Sequence, residues 1–170
     1  MLLHEGQPLV ALHVARLLEL GVDELVVVAH PSFAARIETV LGRGLARVVS
    51  AVTNQQAESL GCGLRSLGGA WQYVWIALVD TLPPRPSTFR GLAAAVCAGA
   101  PAATPRFGGR GGHPVFARRT VLAPYLAGLA PPLRDVLDAT PGRVRVQVQD
   151  EDITRDLDAP CDLAGPPRFG

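Results

Sequence analysis

The sequence contains no lysine, because all 16 of its basic residues are arginine. With 15 acidic residues the formal net charge is only +1, so no basic surface for nucleic acid is expected. Charged residues make up 18% of the chain and hydrophobic residues 48%, which favours a compact globular fold over a disordered chain. Any chemistry that requires a lysine from these 170 residues is excluded.

Cysteine is scarce as well. Cys62, Cys97 and Cys161 are odd in number and form no CxxC pair, which argues against a disulfide framework and against structural zinc. No apolar run reaches the roughly 18 residues that span a bilayer, and MLLHEGQPL does not have the pattern of a secretory signal. These absences predict a cytoplasmic protein of one domain, residues 1–170, with no membrane partner.

The patterns that are present alternate between strand and helix, which is typical of βαβ units and predicts a three-layer α/β fold. ELVVVA at 24–29 is apolar on both faces, like a strand buried in a parallel sheet, whereas RVRVQVQ at 143–149 alternates like a strand at an edge. Glycine and proline in 105–115 predict a loop or an irregular hairpin. The predicted helices are 7–20, 32–41, 56–67, 86–98, 117–128 and 132–138, and the predicted strands are 24–29, 47–52, 73–79, 100–104 and 143–149.

The stretch VWIALVDTLPP, residues 74–84, runs from a buried strand into a single carboxylate and then into two prolines. Ligands of open parallel sheets bind outside the carboxyl ends of the strands, and Asp80 is predicted to lie at such an end. Carboxylates are ligands that Mg²⁺ prefers. Asp80 is therefore a candidate metal ligand; the alternative is a carboxylate that only caps the turn.

A second acidic group occurs in RDLDAPCDL, residues 155–163. If 153–158 is extended, Asp156 and Asp158 point to the same side, and a cation is expected to join them. Pro160 suits the first turn of a helix, which makes Asp162 a residue of that helix start. We expect a metal bridging Asp80 and either Asp156 or Asp158.

Five segments follow one another along the chain: LLHEGQPLVALHVARLLELGVDELVVVA, TNQQAESLGCGLRSL, ALVDTLP, RGGHPVFARR and DLDAPCDL. In this order they resemble the MobA-like nucleotidyltransferases, in particular the MocA-type molybdenum cofactor cytidylyltransferases. The resemblance implies a Rossmann-like nucleotide-diphospho-sugar transferase fold, with a mostly parallel sheet, an antiparallel edge and no N-terminal strand.

The resemblance implies transfer of a nucleoside monophosphate from CTP or another NTP to a phosphorylated acceptor such as the molybdopterin cofactor, with release of pyrophosphate. Mg²⁺ is the implied cofactor, and the implied partners are a second copy of the chain or a molybdoenzyme-maturation protein. The implied catalytic and metal residues are Asp80 and Asp158, with Asp156 as the alternative metal ligand. The implied nucleotide-binding residues are Asn54, Ser59, Gly61, Cys62 and Gly63, and the implied acceptor-binding residues are Gly112, His113 and Pro114.

The chain departs from the family pattern in several places. The family's opening glycine-rich loop and lysine have no counterpart, so either the coding sequence begins upstream of Met1 or the chain is a degenerate member. Cys62 stands where serine is usual, and Val79 stands where glycine is usual. A catalytically silent binding module and a sugar-phosphate or methylerythritol-phosphate nucleotidyltransferase are the alternatives. GCGLRS at 61–66 fails as a dinucleotide motif, because Ser66 replaces the third glycine and no buried strand precedes it.

Overall fold

Strands and helices alternate along most of the chain. The computed structural model describes residues 2–155 and 157. The helices are α1 (Leu9–Glu19), α2 (Pro31–Leu41), α3 (Gln56–Ser66), α4 (Pro86–Cys97), α5 (Ala123–Leu126) and α6 (Leu133–Asp138), with 3-10 turns at Arg119–Leu122 and Glu151–Thr154. The strands are β1 (Leu3–His4), β2 (Gln7–Pro8), β3 (Val26–Ala29), β4 (Arg47–Ser50), β5 (Tyr73–Ile76), β6 (Ala102–Phe107), β7 (Arg110–Gly111), β8 (Val115–Arg118) and β9 (Val144–Gln147).

The sheets are mixed, so the predicted mostly parallel sheet is wrong. Strands β3 and β4 are parallel, and so are β6 and β9. Strand β8 lies between β5 and β6 and is antiparallel to both, while β7 extends the antiparallel pairing of β6. The predicted edge position of the last strand agrees with the structure, since β9 pairs only with β6 in the described part of the chain.

The difference in sheet topology arises at residues 105–118. The sequence predicts a loop or an irregular hairpin at 105–115, and β6 and β7 form a hairpin there. The strand predicted at 100–104 continues to Phe107, and the helix predicted at 117–128 is wrong at its start, because β8 occupies Val115–Arg118. Gly108 and Gly109 have positive φ angles of 55° and 84°, a conformation that glycine adopts readily, and the chain reverses there. Four residues are too few for periodicity to separate a strand from a helix start, and pairing with β5 and β6 decides it.

Strands β3 and β5 each have a free edge. Among the described residues, β3 pairs only with β4, and β5 pairs only with β8. Helix α3 joins the two sheets: Gly63 lies against Val28 of β3, and Leu64 belongs to the same core as Val74 of β5. The predicted absence of a first central strand stays a prediction, and these two edges are where such a strand would pair.

The core has three parts, one for each packed surface. Val10, Val14 and Leu41 join helices α1 and α2 to the β3–β4 sheet. Leu92, Val96 and Ala103 pack with Trp75 and Phe116 on one face of the larger sheet, where those two rings stack at 4.0 Å between centroids. Leu64, Ala117, Leu122 and Tyr125 fill its other face.

No helix in residues 2–155 has the length and apolar character needed to cross a bilayer.

Candidate functional site

Strand β5 ends at Ile76, and Asp80 lies in the turn that follows its carboxyl end. One of its carboxylate oxygens, Oδ1, is buried and has no hydrogen-bond partner among the described residues. A buried, unpaired carboxylate oxygen is costly, because it has lost water without gaining a replacement. The structure places Asp80 just beyond the end of β5, as predicted, and its role as a metal ligand stays a prediction.

The closing segment of the chain reaches Asp80 through Leu157. The Leu157 amide donates a 2.7 Å hydrogen bond to the Asp80 carbonyl, and the Leu157 side chain is 1% exposed. Its sequence neighbours Asp156 and Asp158 lie outside the described residues, as does Asp162. The predicted extended run 153–158 is wrong at its start, because Ile153 and Thr154 belong to the 3-10 turn Glu151–Thr154.

The same segment contacts two other candidate elements before it reaches Asp80. Asp150 is 1% exposed, and its Oδ2 accepts hydrogen bonds from the Arg85 amide at 2.8 Å and from the Thr88 hydroxyl at 2.6 Å, at the start of α4. Ile153 packs against Gly112, where a Cβ would overlap the Ile153 carbonyl oxygen. The fold therefore brings the turn at Asp80, the start of α4 and the Gly112 loop together around Asp150, Ile153 and Leu157.

The predicted acceptor loop connects β7 to β8. Gly112 and His113 are half-buried and Pro114 is buried, with a cis peptide bond between His113 and Pro114. The requirement for glycine at residue 112 follows from its packing on Ile153. The role of these three residues in acceptor binding stays a prediction.

The predicted nucleotide segment runs from the end of β4 into α3. Glu58 Oε2 accepts a 2.7 Å hydrogen bond from the main-chain N–H of Asn54, and the Thr53 and Ser59 hydroxyls are 2.6 Å apart. These two bonds tie the loop to the first turn of α3, as a capping side chain does. The Ser59 hydroxyl is thus already paired, whereas the exposed Asn54 side chain has no polar partner in the described structure.

The glycines of α3 have packing roles. A Cβ on Gly61 would lie 2.9 Å from Arg65 Nη1, and one on Gly63 would lie 3.1 Å from Val28 Cγ2. Cys62 between them is half-buried, with its Sγ 3.9 Å from Arg65 Nη2. Within residues 2–155, no hydrogen bond or ion pair joins this segment to Asp80, so its part in nucleotide binding stays a prediction.

His13, which the sequence analysis did not single out, contacts the turn that contains Asp80. It is 4% exposed on α1, and its Nε2 donates a 2.8 Å hydrogen bond to the Thr81 carbonyl, next to Asp80. Burial lowers the pKa of His13, although the hydrogen bond to Thr81 and the nearby Asp80 charge oppose that shift. A polar residue between Val10 and Val14 on the apolar face of a predicted helix was the available signal.

A cleft of about 310 Å³ lies beside the residues that follow Asp80. Leu82 and Pro83 form one wall, with Arg16 and Asp152 among the other lining residues. Burial, together with the neighbouring acids Asp150 and Glu151, raises the pKa of Asp152. A larger cavity, of about 650 Å³, contains none of the predicted site residues in its lining.

The sequence and the fold were both found to be similar to those of known proteins. The sequence profile of the MobA-like NTP transferase domain matches residues 1–145, which is most of the chain. The chain belongs to the MobA-like NTP transferase family. Its membership places it among nucleotidyltransferases and implies a nucleoside triphosphate substrate. A comparison with curated proteins finds no match.

Solved structures share the fold of this family member. Rv0371c of Mycobacterium tuberculosis H37Rv, solved in complex with manganese, aligns with a TM-score of 0.78 at 19% identity over 96% of this chain and 88% of that chain. A 4-diphosphocytidyl-2C-methyl-D-erythritol synthase from Anaerococcus prevotii DSM 20548 aligns at 0.82 and 14% identity, over 96% and 89%. Molybdopterin-guanine dinucleotide biosynthesis protein A from Archaeoglobus fulgidus aligns at 0.59 and 15%, over 96% and 85%. These likenesses establish the α/β nucleotidyltransferase fold.

The described side chains provide few ligands for a divalent cation. Residues 2–155 and 157 contain no group of three or more His, Cys, Asp or Glu side chains that could hold a metal ion. The unpaired Oδ1 of Asp80 nevertheless fits one coordination position of a hard cation, which takes carboxylate oxygens. Because Mg²⁺ in phosphate-binding sites is held by one or two carboxylates together with phosphates and water, a single described ligand is compatible with it.

Proposed function

We propose that this chain is a nucleotidyltransferase of the MocA-type branch, which transfers a nucleoside monophosphate, with CTP as the preferred donor, to a phosphorylated acceptor such as the molybdopterin cofactor. The observation that carries the proposal is the pairing of Asp80 with the closing segment. The Leu157 amide donates a hydrogen bond to the Asp80 carbonyl, while Asp80 Oδ1 has no hydrogen-bond partner among the described residues. This contact supports the closing segment as the source of a second metal ligand beside Asp80.

The reaction forms one bond and breaks one. An oxygen of the acceptor phosphate attacks the α-phosphorus of the NTP, and the bond from that phosphorus to the β-phosphate oxygen breaks. Pyrophosphate leaves with the bonding electron pair. Because negative charge builds on phosphoryl oxygens, positioning and charge neutralisation are the main tasks of the protein.

The proposed metal ligands are Asp80 and one of the two acids that flank Leu157 in the sequence. Asp80 and Asp158, or Asp156 in its place, would hold Mg²⁺, and the manganese in the Rv0371c structure supports a divalent cation in this family. The cation would supply positive charge to both the acceptor phosphate and the α-phosphate. Because none of these 170 residues is lysine, arginine and the cation are the available positive charges.

The remaining contacts are assigned by segment. The Asn54 side chain would contact the nucleotide at the start of α3, where Glu58 binds the main-chain N–H of Asn54. Ser59, Gly61, Cys62 and Gly63 would form the rest of that side. Gly112, which packs on Ile153, and the following His113 and Pro114 would face the acceptor.

Titration calorimetry of the whole chain with CTP and with GTP, each with and without Mn²⁺ or Mg²⁺, tests the proposal. We expect binding that requires the cation, tighter for CTP, and pyrophosphate release when a phosphorylated acceptor is added. Binding of GTP in preference to CTP would contradict the branch assignment. No binding of either nucleotide at millimolar concentration would contradict the function and favour the catalytically silent module.

A second acceptor class is favoured by one observation, the fold match to the methylerythritol synthase. In that reading the chain transfers CMP to a sugar-alcohol phosphate, such as methylerythritol phosphate. Assaying pyrophosphate release with methylerythritol phosphate beside the pterin acceptor distinguishes the two, because only the correct acceptor should support turnover with CTP.

A further inference from the structure

His13 connects helix α1 to the loop that contains Asp80. The two residues that form the bond, His13 and Thr81, are 68 positions apart in sequence, and their side chains are almost completely buried. A carbonyl oxygen only accepts hydrogen bonds, so the proton of the bond is on His13 Nε2. Because the bond is shielded from water, breaking it leaves a buried acceptor without a replacement.

The main chain around Asp80 is fixed from two sides. His13 holds the carbonyl that follows Asp80, and the Leu157 amide holds the Asp80 carbonyl itself at 2.7 Å. Within the turn, the Thr81 hydroxyl donates a 3.2 Å bond to the Leu78 carbonyl. No hydrogen bond among the described residues restrains Asp80 Oδ1, so the described bonds act on the main chain from which the carboxylate extends.

We propose that His13 is a positioning residue, which orients the Asp80 carboxylate for a divalent cation through its bond to the Thr81 carbonyl. The inference rests on the proposed function, in which Asp80 is a ligand of that cation. Groups that hold a ligand in its binding geometry affect metal affinity even when they do not touch the metal. The bond also makes the position of the Asp80 turn depend on α1, a helix in which the sequence analysis named no candidate site residue.

The test compares two replacements of His13 in the whole chain. In His13→Gln the amide nitrogen lies about as far from Cα as Nε2 and can donate the same bond. In His13→Leu the apolar volume is retained and the donor is lost. We expect the Mn²⁺ dissociation constant from calorimetry to rise about 10-fold in His13→Leu, as for other groups that orient metal ligands. In His13→Gln it should stay within about threefold of the wild type.

Val14→Ala is the matched control, because Val14 is buried at 4% on the same helix and belongs to the α1 core rather than to the Asp80 turn. It should lower the melting temperature without changing Mn²⁺ affinity. His13→Asn is the second variant: its shorter side chain cannot reach Thr81, so it should weaken Mn²⁺ binding as His13→Leu does. If circular dichroism shows that His13→Leu is unfolded, His13→Asn provides the decisive comparison.

The outcomes separate this inference from the proposed function. If the wild type does not bind Mn²⁺, the proposed function fails and the inference fails with it. If the wild type binds Mn²⁺ and the folded donor-free variant binds equally well, only the positioning role is overturned. If His13→Gln weakens Mn²⁺ binding as much as His13→Leu does, the positioning role is also overturned, because a retained hydrogen-bond donor would then not preserve Mn²⁺ affinity. In turnover assays, a positioning role raises the KM for Mn²⁺ and leaves kcat at saturating Mn²⁺ nearly unchanged.

Discussion

Gly112 is the residue at which packing alone excludes a side chain. Any Cβ at this position would overlap the carbonyl oxygen of Ile153, which is main chain and cannot rotate away. We expect Gly112→Ala to reduce the free energy of unfolding by about 1 to 3 kcal/mol, as overpacking does elsewhere. Urea denaturation measures it.

Gly111→Ala is the control for that measurement. A Cβ on Gly111 would lie 3.9 Å from the Pro105 carbonyl oxygen, an ordinary contact, so its effect should be within about 0.5 kcal/mol. Equal losses in the two variants would show that the loop does not pack on Ile153 as described.

Asp80 allows a prediction that separates binding from stability. Asp80→Asn keeps the shape of the side chain and removes the charge at a buried, unpaired oxygen. We expect Mn²⁺ binding to be lost while the melting temperature stays the same or rises, because no described hydrogen bond of that oxygen is lost. Asp23→Asn, at an exposed acid, should change neither quantity. Full Mn²⁺ affinity in Asp80→Asn would refute the ligand assignment.

Asp152 gives the stability of the protein a dependence on pH. Burial and the adjacent acids raise its pKa above the ordinary value of 3.8, so the folded state disfavours its charged form. Above the raised pKa the wild type carries this penalty in full, and below 3.8 the group is protonated in both states and the penalty is gone. Asp152→Asn should therefore be more stable than the wild type near neutral pH, with the difference vanishing in acid. Denaturation curves from about pH 3 to about pH 7 check it.

At the scale of an element, α4 depends on a distant acid for its start. Arg85 is the N-cap and makes no side-chain cap bond, and Asp150 instead accepts bonds from the Arg85 amide and the Thr88 hydroxyl. We expect Asp150→Asn to destabilise the protein by about 2 kcal/mol, because a charge-assisted cap at the positive end of a helix is lost.

Glu151→Gln is the control for α4, since Glu151 is an exposed neighbour with no described bond to that helix. Its effect on the free energy of unfolding should stay within about 0.5 kcal/mol. Thr88→Val removes the hydroxyl that donates a hydrogen bond to Asp150 and should also destabilise the protein. The stability losses of Thr88→Val and Asp150→Asn should not add in the double variant, because both remove the same bond. Additive losses would mean that Asp150 and Thr88 act independently.

At the scale of the whole molecule, the two sheets should differ in local stability. Strand β6 is paired on both sides, with β8 and with β9, and Ala102 and Ala103 are fully buried. Strand β3 is paired on one side only, and Val26, Val27 and Val28 are only half-buried. Amide hydrogen exchange should be slower by at least about 10-fold in β6 than at the β3 amides that do not pair with β4. Equal protection would show that the free edge of β3 is covered in solution.

The elements that the sequence predicted well are those with long, periodic patterns. Helices α1 to α4 and strands β3 and β4 lie within a few residues of their predicted bounds, since their apolar spacing leaves one buried face. Strand β8 was missed because a four-residue strand has no usable period. The 3-10 turn at Glu151–Thr154 was missed because its ends are set by contacts with Gly112 and β6.

The sequence by itself determined the α/β class, most of the helices and the place of Asp80 beyond the end of a buried strand, because these follow from local patterns of apolar and polar residues. The tertiary structure alone decided that the sheets are mixed and that His13, Asp150 and Leu157 act on distant parts of the chain. The physical reason is that strand pairing joins residues up to 45 positions apart, and the side-chain hydrogen bonds of His13 and Asp150 join residues 68 and 65 positions apart. No local pattern specifies such partners.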